Sequence, residues 1–354
     1  TRQPPKPDLT IAGRSIGESH PAFIIAEVAQ THDGSLGLAH AFVDVAAECG
    51  ADAIKFQTHI ADSESTLDEE FRTKFSKQDA TRYEYWKRME FSAEQWLGLA
   101  NHAKEKGLVF LSSAFSPEAI TLLEAIGVPA WKVGSGEFRS KSLLQRLCNS
   151  GLPILFSTGM STWKEIEDVV SLIKGNGAAL ALFQCTSRYP TPLEEVGLNV
   201  IDELRKNFEV PVGLSDHSGK IYPVLLALAR GVDLVEVHLT LDRRMFGPDI
   251  PVSLTPEEFR VISEACKAFT IMDSSPINKN QMAESLIPMR DLFTKSLAVV
   301  QPLNKGTQLT AEMLTMKKPG TGISEKDIDK VIGRSLKNDV TPDRLLSVRD
   351  LDDG

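Results

Sequence analysis

Short apolar runs alternate with helix-like segments along most of the chain. Eight of these runs end in a polar residue that could take part in chemistry: Phe23 to Val28, Ala53 to Thr58, Leu108 to Ser113, Ala130 to Ser135, Pro153 to Thr158, Leu180 to Thr186, Pro211 to Asp216 and Leu234 to Thr240. Near-continuous apolar runs are typical of parallel strands that helices cover. The pattern predicts a (β/α)₈ TIM barrel, in which the active site lies at the carboxyl ends of the strands.

Helical periodicity fills the segments between these runs. From Leu38 to Cys49, apolar residues recur at i, i+3, i+4 and i+7, which predicts a helix with one buried face. Ser161 or Thr162 can cap a later helix, and Pro256 suits the first turn of the helix after the eighth strand.

One long insertion interrupts the repeat after the second strand. Residues Ile60 to Glu90 are rich in charge and carry the aromatic residues Tyr83, Tyr85 and Trp86. An insertion of this length after a barrel strand usually forms a lid or a partner surface.

The barrel pattern stops near residue 270. A polar stretch rich in turn formers follows, and then come the strand-like runs Ser296 to Val300 and Leu314 to Lys317. The chain has 354 residues, which exceeds a simple barrel of roughly 250 residues and leaves room for one small domain. We expect a barrel domain at residues 1–272, a linker at 273–288 and a small domain at 289–354.

The composition narrows the class of partner. The chain is 42% hydrophobic with a formal net charge of −9, and no apolar stretch reaches the roughly 20 residues of a membrane helix. The negative charge argues against nucleic acid and anionic membranes as partners, whereas small anionic substrates fit a locally cationic cleft. The four cysteines have no CxxC spacing, and no targeting segment is visible, so we expect reduced thiols in the cytoplasm.

Two histidines close neighbouring strands. His217 and His238 end the seventh and eighth runs, so their rings can converge on one divalent metal at the barrel mouth. Such an imidazole pair suits Mn, Fe, Zn or Co, with water or substrate completing the ligand set. Glu236 shares the face of His238 by strand alternation and is a candidate outer partner. The alternative is that one ring is only a hydrogen-bonded core histidine.

Two lysines would point into the same cleft. Lys55 and Lys132 lie in the second and fourth runs, and a buried lysine is costly unless an anion pairs with it. Hydroxyl groups at four strand ends could complete a cradle for a phosphate and a carboxylate, namely Ser113, Ser135, Ser157 and Ser215. Alternatively, Lys132 pairs only with Glu137 or with another internal carboxylate.

Two acidic residues are candidates for general acid–base chemistry on opposite sides of the cleft. Glu27 ends an apolar strand, which favours an inward position. Asp249 is equally compatible with a solvated surface charge.

These residues lie in segments that resemble the bacterial sialic acid synthases. The matching segments are IIAEVAQTHDGSL (24–36), IKFQTH (54–59), FLSSAFS (110–116), WKVGSGE (131–137), ILFSTGM (154–160), CTSRYPTP (185–192), GLSDHS (213–218) and EVHLTLDRRMFGPD (236–249). The tail, with KGTQLTAEML and KKPGTGI, is similar to the antifreeze-like (SAF, β-clip) domain of that family. The motifs cover nearly the whole chain in the family's order.

The resemblance implies a transferase that condenses phosphoenolpyruvate with an N-acyl hexosamine, such as N-acetylmannosamine, and releases phosphate. It implies Mn²⁺ on His217 and His238, with Mg²⁺ or Co²⁺ as alternatives, and a homodimer in which the small domain caps the partner's barrel. Phosphoenolpyruvate would be bound by Lys55, Ser113, Lys132, Ser135, Ser157 and Ser215. The amino sugar would lie near Gln57, Glu137, Tyr189 and Asp249, with Glu27 close to the reacting carbons.

Four positions depart from the family pattern. Ala29 and Thr31 replace the glycine and asparagine of a GxNHxG motif, and Ser187 replaces an asparagine expected to contact phosphate or carboxylate. Lys318 replaces the arginine of a KRPG motif, which would reach the sugar's acyl group. Lysine keeps the charge and loses the planar fork of the guanidinium, so the acyl pocket is expected to differ.

Two further readings stay open. The acceptor could be a diacetamido hexose, which would make the product legionaminic or pseudaminic acid. The chain could also be a non-catalytic sugar-binding scaffold, although a scaffold has no need of a histidine pair beside an anion cradle.

Overall fold

Eight parallel strands close into a barrel, which confirms the predicted architecture. The computed structural model describes residues 9–17, 20–71 and 73–352, so the remaining residues of the predicted domains lie outside the described ranges. A short antiparallel hairpin comes first, formed by β1 (Leu9–Ile11) and β2 (Arg14–Ile16). The barrel strands follow as β3 (Phe23–Ala29), β4 (Ala53–Thr58), β5 (Val109–Ala114), β6 (Trp131–Val133), β7 (Ile154–Ser157), β8 (Leu180–Cys185), β9 (Val212–Asp216) and β10 (Leu234–His238). Strand β10 pairs with both β9 and β3 and so closes the ring.

Helices surround the barrel as the periodicity predicts. They are α1 (Leu36–Glu48), α2 (Ala61–Glu64), α3 (Arg82–Met89), α4 (Ala93–Glu105), α5 (Pro117–Ile126), α6 (Lys141–Asn149), α7 (Trp163–Gly175), α8 (Leu198–Phe208), α9 (Tyr222–Ala229) and α10 (Pro256–Asp273). The hydroxyl group of Thr162 caps α7, and Thr255 caps α10 with Pro256 in its first turn. Such caps satisfy backbone amides that have no partner within the helix.

Two apolar layers hold this unit together. One lies between the strands and the helices, and the other fills the barrel interior. Leu9, Ile11 and Ile16 of the hairpin belong to the interior layer with Phe23 and Leu234, which begin β3 and β10. The hairpin therefore packs at the amino-terminal end of the barrel, and the carboxyl ends of the strands are left for polar residues.

The insertion after β4 contains α2 and α3 and is anchored by ion pairs. The guanidinium of Arg88 contacts Asp79 at 2.7 Å and Asp33, in the loop after β3, at 2.8 Å. Lys87 pairs with Asp62 of α2 at 2.8 Å. Since the contact to Asp33 joins the insertion to another barrel loop, the insertion forms a fixed wall in this structure.

The chain divides into two compact units, Thr1–Ser274 and Ser275–Gly354. The second unit contains α11 (Lys279–Ser285), α12 (Ile287–Phe293), β11 (Ser296–Val299) and β12 (Leu314–Lys317). Helix α11 lies within the stretch expected to be a linker. The side chain of Asn278 caps this helix by accepting hydrogen bonds from the amides of Asn280 and Gln281. No helix within the described ranges combines the length and apolar character needed to cross a membrane.

Candidate active site

Four buried charged residues form the floor of the cleft at the carboxyl ends of the strands. Glu27, Lys55, Lys132 and Glu236 are each at most 4% exposed. The ammonium of Lys55 lies 2.8 Å from Glu27 Oε2 and 3.7 Å from Glu236 Oε2. The ammonium of Lys132 lies 3.2 Å from Glu236 Oε1. We call these four residues the charged floor.

Three of the predicted serines contact the charged floor. Lys132 donates a hydrogen bond to Ser157 Oγ at 2.8 Å, and Ser215 donates to Glu236 Oε1 at 3.0 Å. Lys55 lies 3.4 Å from Ser113 Oγ. The structure thus brings both lysines together with their hydroxyl neighbours, and the internal carboxylate that pairs with Lys132 is Glu236 and not Glu137.

The two carboxyl groups of the charged floor differ in protonation. Burial raises the pKa of Glu27 to about 7, although the nearby Lys55 opposes that shift. Burial also opposes ionisation of Glu236, but Lys132 and Lys55 outweigh it and lower the pKa of Glu236 to about 2. Near neutral pH, Glu236 is therefore ionised, and Glu27 is poised to accept or release a proton.

The histidine pair stands beside this floor. The ring centroids of His217 and His238 are 5.2 Å apart, and burial lowers the pKa of each ring to about 3, so both are neutral. His217 Nδ1 lies 3.2 Å from the carbonyl oxygen of Thr186, so it carries the proton, and Nε2 is the acceptor for the hydroxyl of Tyr189 at 3.2 Å. The buried Nδ1 of His238 has no hydrogen-bond partner within the described ranges.

This arrangement fits an open metal site with two protein ligands. Neutral imidazoles are the form that binds metals, and the bond from His217 Nδ1 to a carbonyl sets the tautomer that leaves Nε2 available. Within residues 9–17, 20–71 and 73–352, no group of three or more His, Cys, Asp or Glu side chains forms a metal site. Any metal held by His217 and His238 would therefore need further ligands from substrate or water.

A cavity of about 170 Å³ lies next to His238. Its lining includes four aromatic residues of the insertion, which we call the aromatic wall: Phe71, Phe75, Tyr85 and Trp86. Gln57, Tyr189 and Asp249, all predicted to contact the amino sugar, line the same cavity. The structure therefore joins the insertion and the predicted sugar residues in one cleft.

The sequence comparisons identify the family. The profile of the NeuB family matches residues 42–277, and that of the SAF domain matches residues 294–352. This chain belongs to the NeuB family. The match confirms the resemblance drawn from the sequence motifs, and the predicted SAF domain is confirmed with it.

Known relatives of this NeuB-family chain are synthases of sialic-acid-type sugars. It is 34% identical to the N,N'-diacetyllegionaminic acid synthase of Legionella pneumophila, over 90% of this chain and 92% of that protein. It is 32% identical to the human N-acetylneuraminate-9-phosphate synthase, over 92% of this chain and 91% of that protein. These relationships make the chain an enzyme of sialic-acid-type biosynthesis.

A solved structure agrees with this assignment. The N-acetylneuraminic acid synthetase of Leptospira borgpetersenii, solved in complex with citrate, superposes with a TM-score of 0.70 at 29% identity. The match covers 79% of this chain and 96% of that one.

The remaining predicted site residues of this NeuB-family enzyme are Ser135, Ser187, Glu137 and Lys318. Ser135 and Ser187 gather around Gly159, where an added Cβ would lie 2.8 and 2.6 Å from their hydroxyl oxygens. The amide of Gly159 donates to Ser135 Oγ at 3.2 Å. Glu137 lies on the 3₁₀ turn that begins at Ser135, and it accepts a hydrogen bond from Ser140 at 2.8 Å, whereas Lys132 pairs with Glu236. Lys318 belongs to the second unit, and its predicted role stays a prediction.

The departures near β3 have local explanations. Ala29 adopts a φ of 48°, a left-handed conformation that glycine takes without strain, at a register shift between β3 and β4. The hydroxyl of Thr31 donates to the carbonyl oxygens of Val28 and Leu239, so this residue ties the loop after β3 to the end of β10.

Three contributors to the cleft were not among the predicted site residues. Gln30 donates to Gln57 Oε1 at 3.1 Å, and its own Oε1 is buried without a partner in the described ranges. The hydroxyl of Tyr85 is likewise buried and unpaired there, and Arg82 also lines the cavity. The aromatic cluster of the insertion was the sequence signal for Tyr85. Gln30 lies after the first strand in the loop where barrel sites form, which could have indicated it.

Proposed function

We propose that this enzyme condenses phosphoenolpyruvate with an N-acyl hexosamine, such as N-acetylmannosamine, to give a nine-carbon sialic-acid-type sugar and phosphate. The main support is the charged floor, which lies beside two neutral histidines at the mouth of a barrel of this family. Membership of the NeuB family and the names of the relatives support the same chemistry.

The charged floor is suited to an anion. Near neutral pH Glu236 is ionised and Glu27, with a pKa of about 7, is ionised only in part, so the two ammonium groups of Lys55 and Lys132 carry an excess of positive charge over the carboxylates they face. Burial lowers the pKa of Lys132, so a bound phosphate or carboxylate group would favour its charged form. Preorganised cations in a buried site stabilise developing negative charge more strongly than cations in water do.

The proposed reaction conserves atoms through one carbon–carbon bond and one water molecule. The C3 carbon of phosphoenolpyruvate attacks the aldehyde carbon of the open-chain sugar, and the C2 carbon becomes electron-poor. The aldehyde oxygen gains a proton and becomes a hydroxyl group. Water adds at C2 and a base takes one of its protons; the C–O bond to phosphate then breaks, and the second proton of the water leaves with phosphate so that C2 becomes a ketone. Glu27 is our candidate for that base, since Gln57 donates to its Oε1 at 2.9 Å and Lys55 lies 2.8 Å from its Oε2.

We propose that His217 and His238 hold a divalent metal, Mn²⁺, with Mg²⁺ or Co²⁺ as alternatives. When bound, such an ion supplies a Lewis acid for the sugar aldehyde. The protein keeps both rings neutral by burial, and the carbonyl of Thr186 orients the ring of His217.

Two acceptor sugars are candidates for the proposed reaction. A diacetamido hexose is a second candidate, because the Legionella relative makes an N,N'-diacetyl sugar acid and the aromatic wall offers apolar surface to an added acyl or methyl group. The two acceptors differ in mass, as do their products.

We also propose a homodimer in the cytoplasm, with the barrel, linker and SAF domain bounded as predicted from the sequence. Exposed apolar side chains on each unit taken by itself support this proposal: Ile271 and Met272 at the end of α10 in the first unit, and Leu292 and Phe293 of α12 in the second, are each more than half exposed. Light scattering on the full chain would measure the oligomeric state directly.

The decisive assay follows phosphate release from phosphoenolpyruvate with Mn²⁺ and a panel of aldoses. The panel contains N-acetylmannosamine, diacetamido hexoses and unacylated hexoses, and mass spectrometry identifies each product. We expect release with at least one acylated sugar and a product heavier by the three-carbon unit. Absence of phosphate release with every sugar of the panel would refute the proposal and favour a sugar-binding scaffold.

A further inference from the structure

His59 lies directly after β4, between the insertion and the charged floor. Its ring is 6% exposed. Nδ1 contacts the carboxylate of Glu64 in α2, and Nε2 lies 3.3 Å from Gln57 Oε1. Both ring nitrogens thus face oxygen atoms, one from the insertion and one from a residue of the active-site cleft.

The ring is held in this orientation by stacking. Trp86 of the aromatic wall lies on one side, with ring centroids 3.9 Å apart and planes 19° from parallel. Phe115, which follows β5, is also stacked with it, at 4.5 Å and 4°. Two stacked aromatic neighbours restrict rotation about the side-chain bonds, so the nitrogens of His59 stay directed at Glu64 and Gln57.

The amide of Gln57 has one orientation that satisfies its neighbours. Its Oε1 accepts from Gln30 at 3.1 Å and faces His59 Nε2, while its Nε2 donates to Glu27 Oε1 at 2.9 Å. A flipped amide would place its oxygen against the carboxyl group of Glu27 and its NH₂ against the donor of Gln30. When Nε2 carries a proton, His59 therefore donates a second hydrogen bond that favours the orientation in which Gln57 donates to Glu27.

We propose that His59 is a positioning residue that acts through Gln57 to fix the carboxyl group of Glu27, and so links the insertion to the reacting centre. A continuous chain of contacts supports this role: Glu64, His59, Gln57, Glu27 and Lys55. The proposal rests on the proposed function only for its kinetic readout. Its structural content, the orientation of Gln57, is independent of the substrate.

A double-mutant cycle tests the route of action. His59→Phe keeps an aromatic ring between Trp86 and Phe115 and removes both nitrogens, and Gln57→Leu removes the amide. We expect His59→Phe to lower kcat by about tenfold to a hundredfold, as outer positioning partners do, with the KM for phosphoenolpyruvate unchanged. If His59 acts through Gln57, the double variant has the kcat of Gln57→Leu alone. Losses that multiply would overturn the proposal.

Two further variants separate positioning from a general effect on folding. His59→Gln restores a donor towards Gln57 and should recover part of the lost kcat. Glu90→Gln is the matched control, because Glu90 accepts from the amide of Ala61 at 2.7 Å and anchors α2 without contacting His59. We expect near wild-type kcat from it. Equal losses in Glu90→Gln and His59→Phe would show that α2 matters only as a structural support.

Crystal structures of the wild type and of His59→Phe provide a readout that needs no turnover. We expect the Gln57 amide to contact Glu27 in the wild type and to leave that position, or to occupy two rotamers, in the variant. An unchanged Gln57 in His59→Phe would overturn the inference whatever the kinetics. A wild type without phosphate release would instead refute the proposed function, and the two crystal structures would still decide the role of His59.

Discussion

The charged floor and the aromatic wall form one cleft, yet they are built in different ways. The floor stands on strands β3, β4, β6 and β10, and its lysines and carboxylates are paired at 2.8 to 3.7 Å within the buried interior. The wall belongs to the insertion, and the Arg88 contacts to Asp33 and Asp79 anchor it. In the function we propose, residues on the strands of the barrel carry out the chemistry and the insertion selects the acceptor, as is common for a scaffold and its loops.

Removing a cation from the charged floor should have the largest effect. Lys132→Met deletes the ammonium that contacts Glu236 and Ser157, and we expect kcat/KM for phosphoenolpyruvate to fall by about a thousandfold, the upper range for loss of one electrostatic contact. Steady-state phosphate release measures this value. Lys141→Met, an exposed lysine on α6, is the control and should behave as wild type. Wild-type activity in Lys132→Met would contradict the role proposed for the charged floor.

Replacing the poised carboxyl group should have the next largest effect. Glu27→Gln keeps the shape of the side chain and cannot take a proton from water, so we expect kcat to fall by about a hundredfold, within the range of general acid–base catalysis. The pH dependence of kcat/KM sharpens the assignment, since burial raises the pKa of Glu27 to about 7 in the free protein and kcat/KM should rise as pH passes through that value. Near-normal turnover by Glu27→Gln would remove it from the role of base.

A change in the aromatic wall should raise the KM of the acceptor sugar. Trp86→Ala removes aromatic surface from the cavity, and we expect the KM of the acceptor sugar to rise by about tenfold with little change in the KM of phosphoenolpyruvate. Initial rates with each substrate varied in turn give both constants. Because Trp86 also stacks on His59, part of any loss in kcat should match that of His59→Phe. An unchanged acceptor KM would contradict a selective role for the wall.

The pH dependence of stability should show the smallest of these effects. The folded-state pKa of His217 and of His238 is about 3 against a usual value of 6.5, so the unfolded chain binds more protons between those values and stability is lost as pH falls below 6.5. The raised pKa of Glu27, about 7 against 4.5, has the opposite sign, and its contribution is lost as pH rises through 7.

His32, with a pKa lowered to about 3, and Asp216, with a pKa raised to about 6, contribute with opposite signs and largely cancel, so that two histidines against one glutamate leave a net loss of about 1 kcal/mol per pH unit between pH 6.5 and 4.5 in the metal-free protein. Denaturant unfolding in a chelator should show this slope in the wild type and in Trp86→Ala. The double variant His217→Asn with His238→Asn should lose it, because only Glu27 then remains of the three groups. An identical slope in the double variant would contradict neutral, buried rings.

Strand alternation explains how much of the site could be predicted from the sequence. Glu27, Lys55 and His238 interrupt or end near-continuous apolar runs, and successive side chains of a strand point to opposite faces, so their inward positions could be inferred from the sequence. Glu137 shows the limit of this reasoning. Strand β6 ends at Val133, two residues earlier than expected, and a 3₁₀ turn then carries Glu137 away from the charged floor.

Contacts between distant segments could not be predicted. The stack of His59 with Trp86 and Phe115 depends on how the insertion packs, and no local periodicity specifies that packing. The pairing of Lys132 with Glu236 likewise depends on side-chain reach across the barrel interior, although both inward positions were anticipated. The sequence analysis did not predict helix α11, because its polar residues resemble a linker in composition. In the structure the cap at Asn278 favours the helix.

Binding of phosphoenolpyruvate to the metal-free protein distinguishes the charged floor from the aromatic wall most directly. Titration calorimetry would compare the wild type, Lys132→Met and Trp86→Ala under the same buffer and salt. We expect Trp86→Ala to bind as the wild type does and Lys132→Met to bind about a hundredfold more weakly, as expected for loss of a charge-assisted contact. Full affinity in Lys132→Met together with lost affinity in Trp86→Ala would contradict the assignment of the charged floor as the anion site.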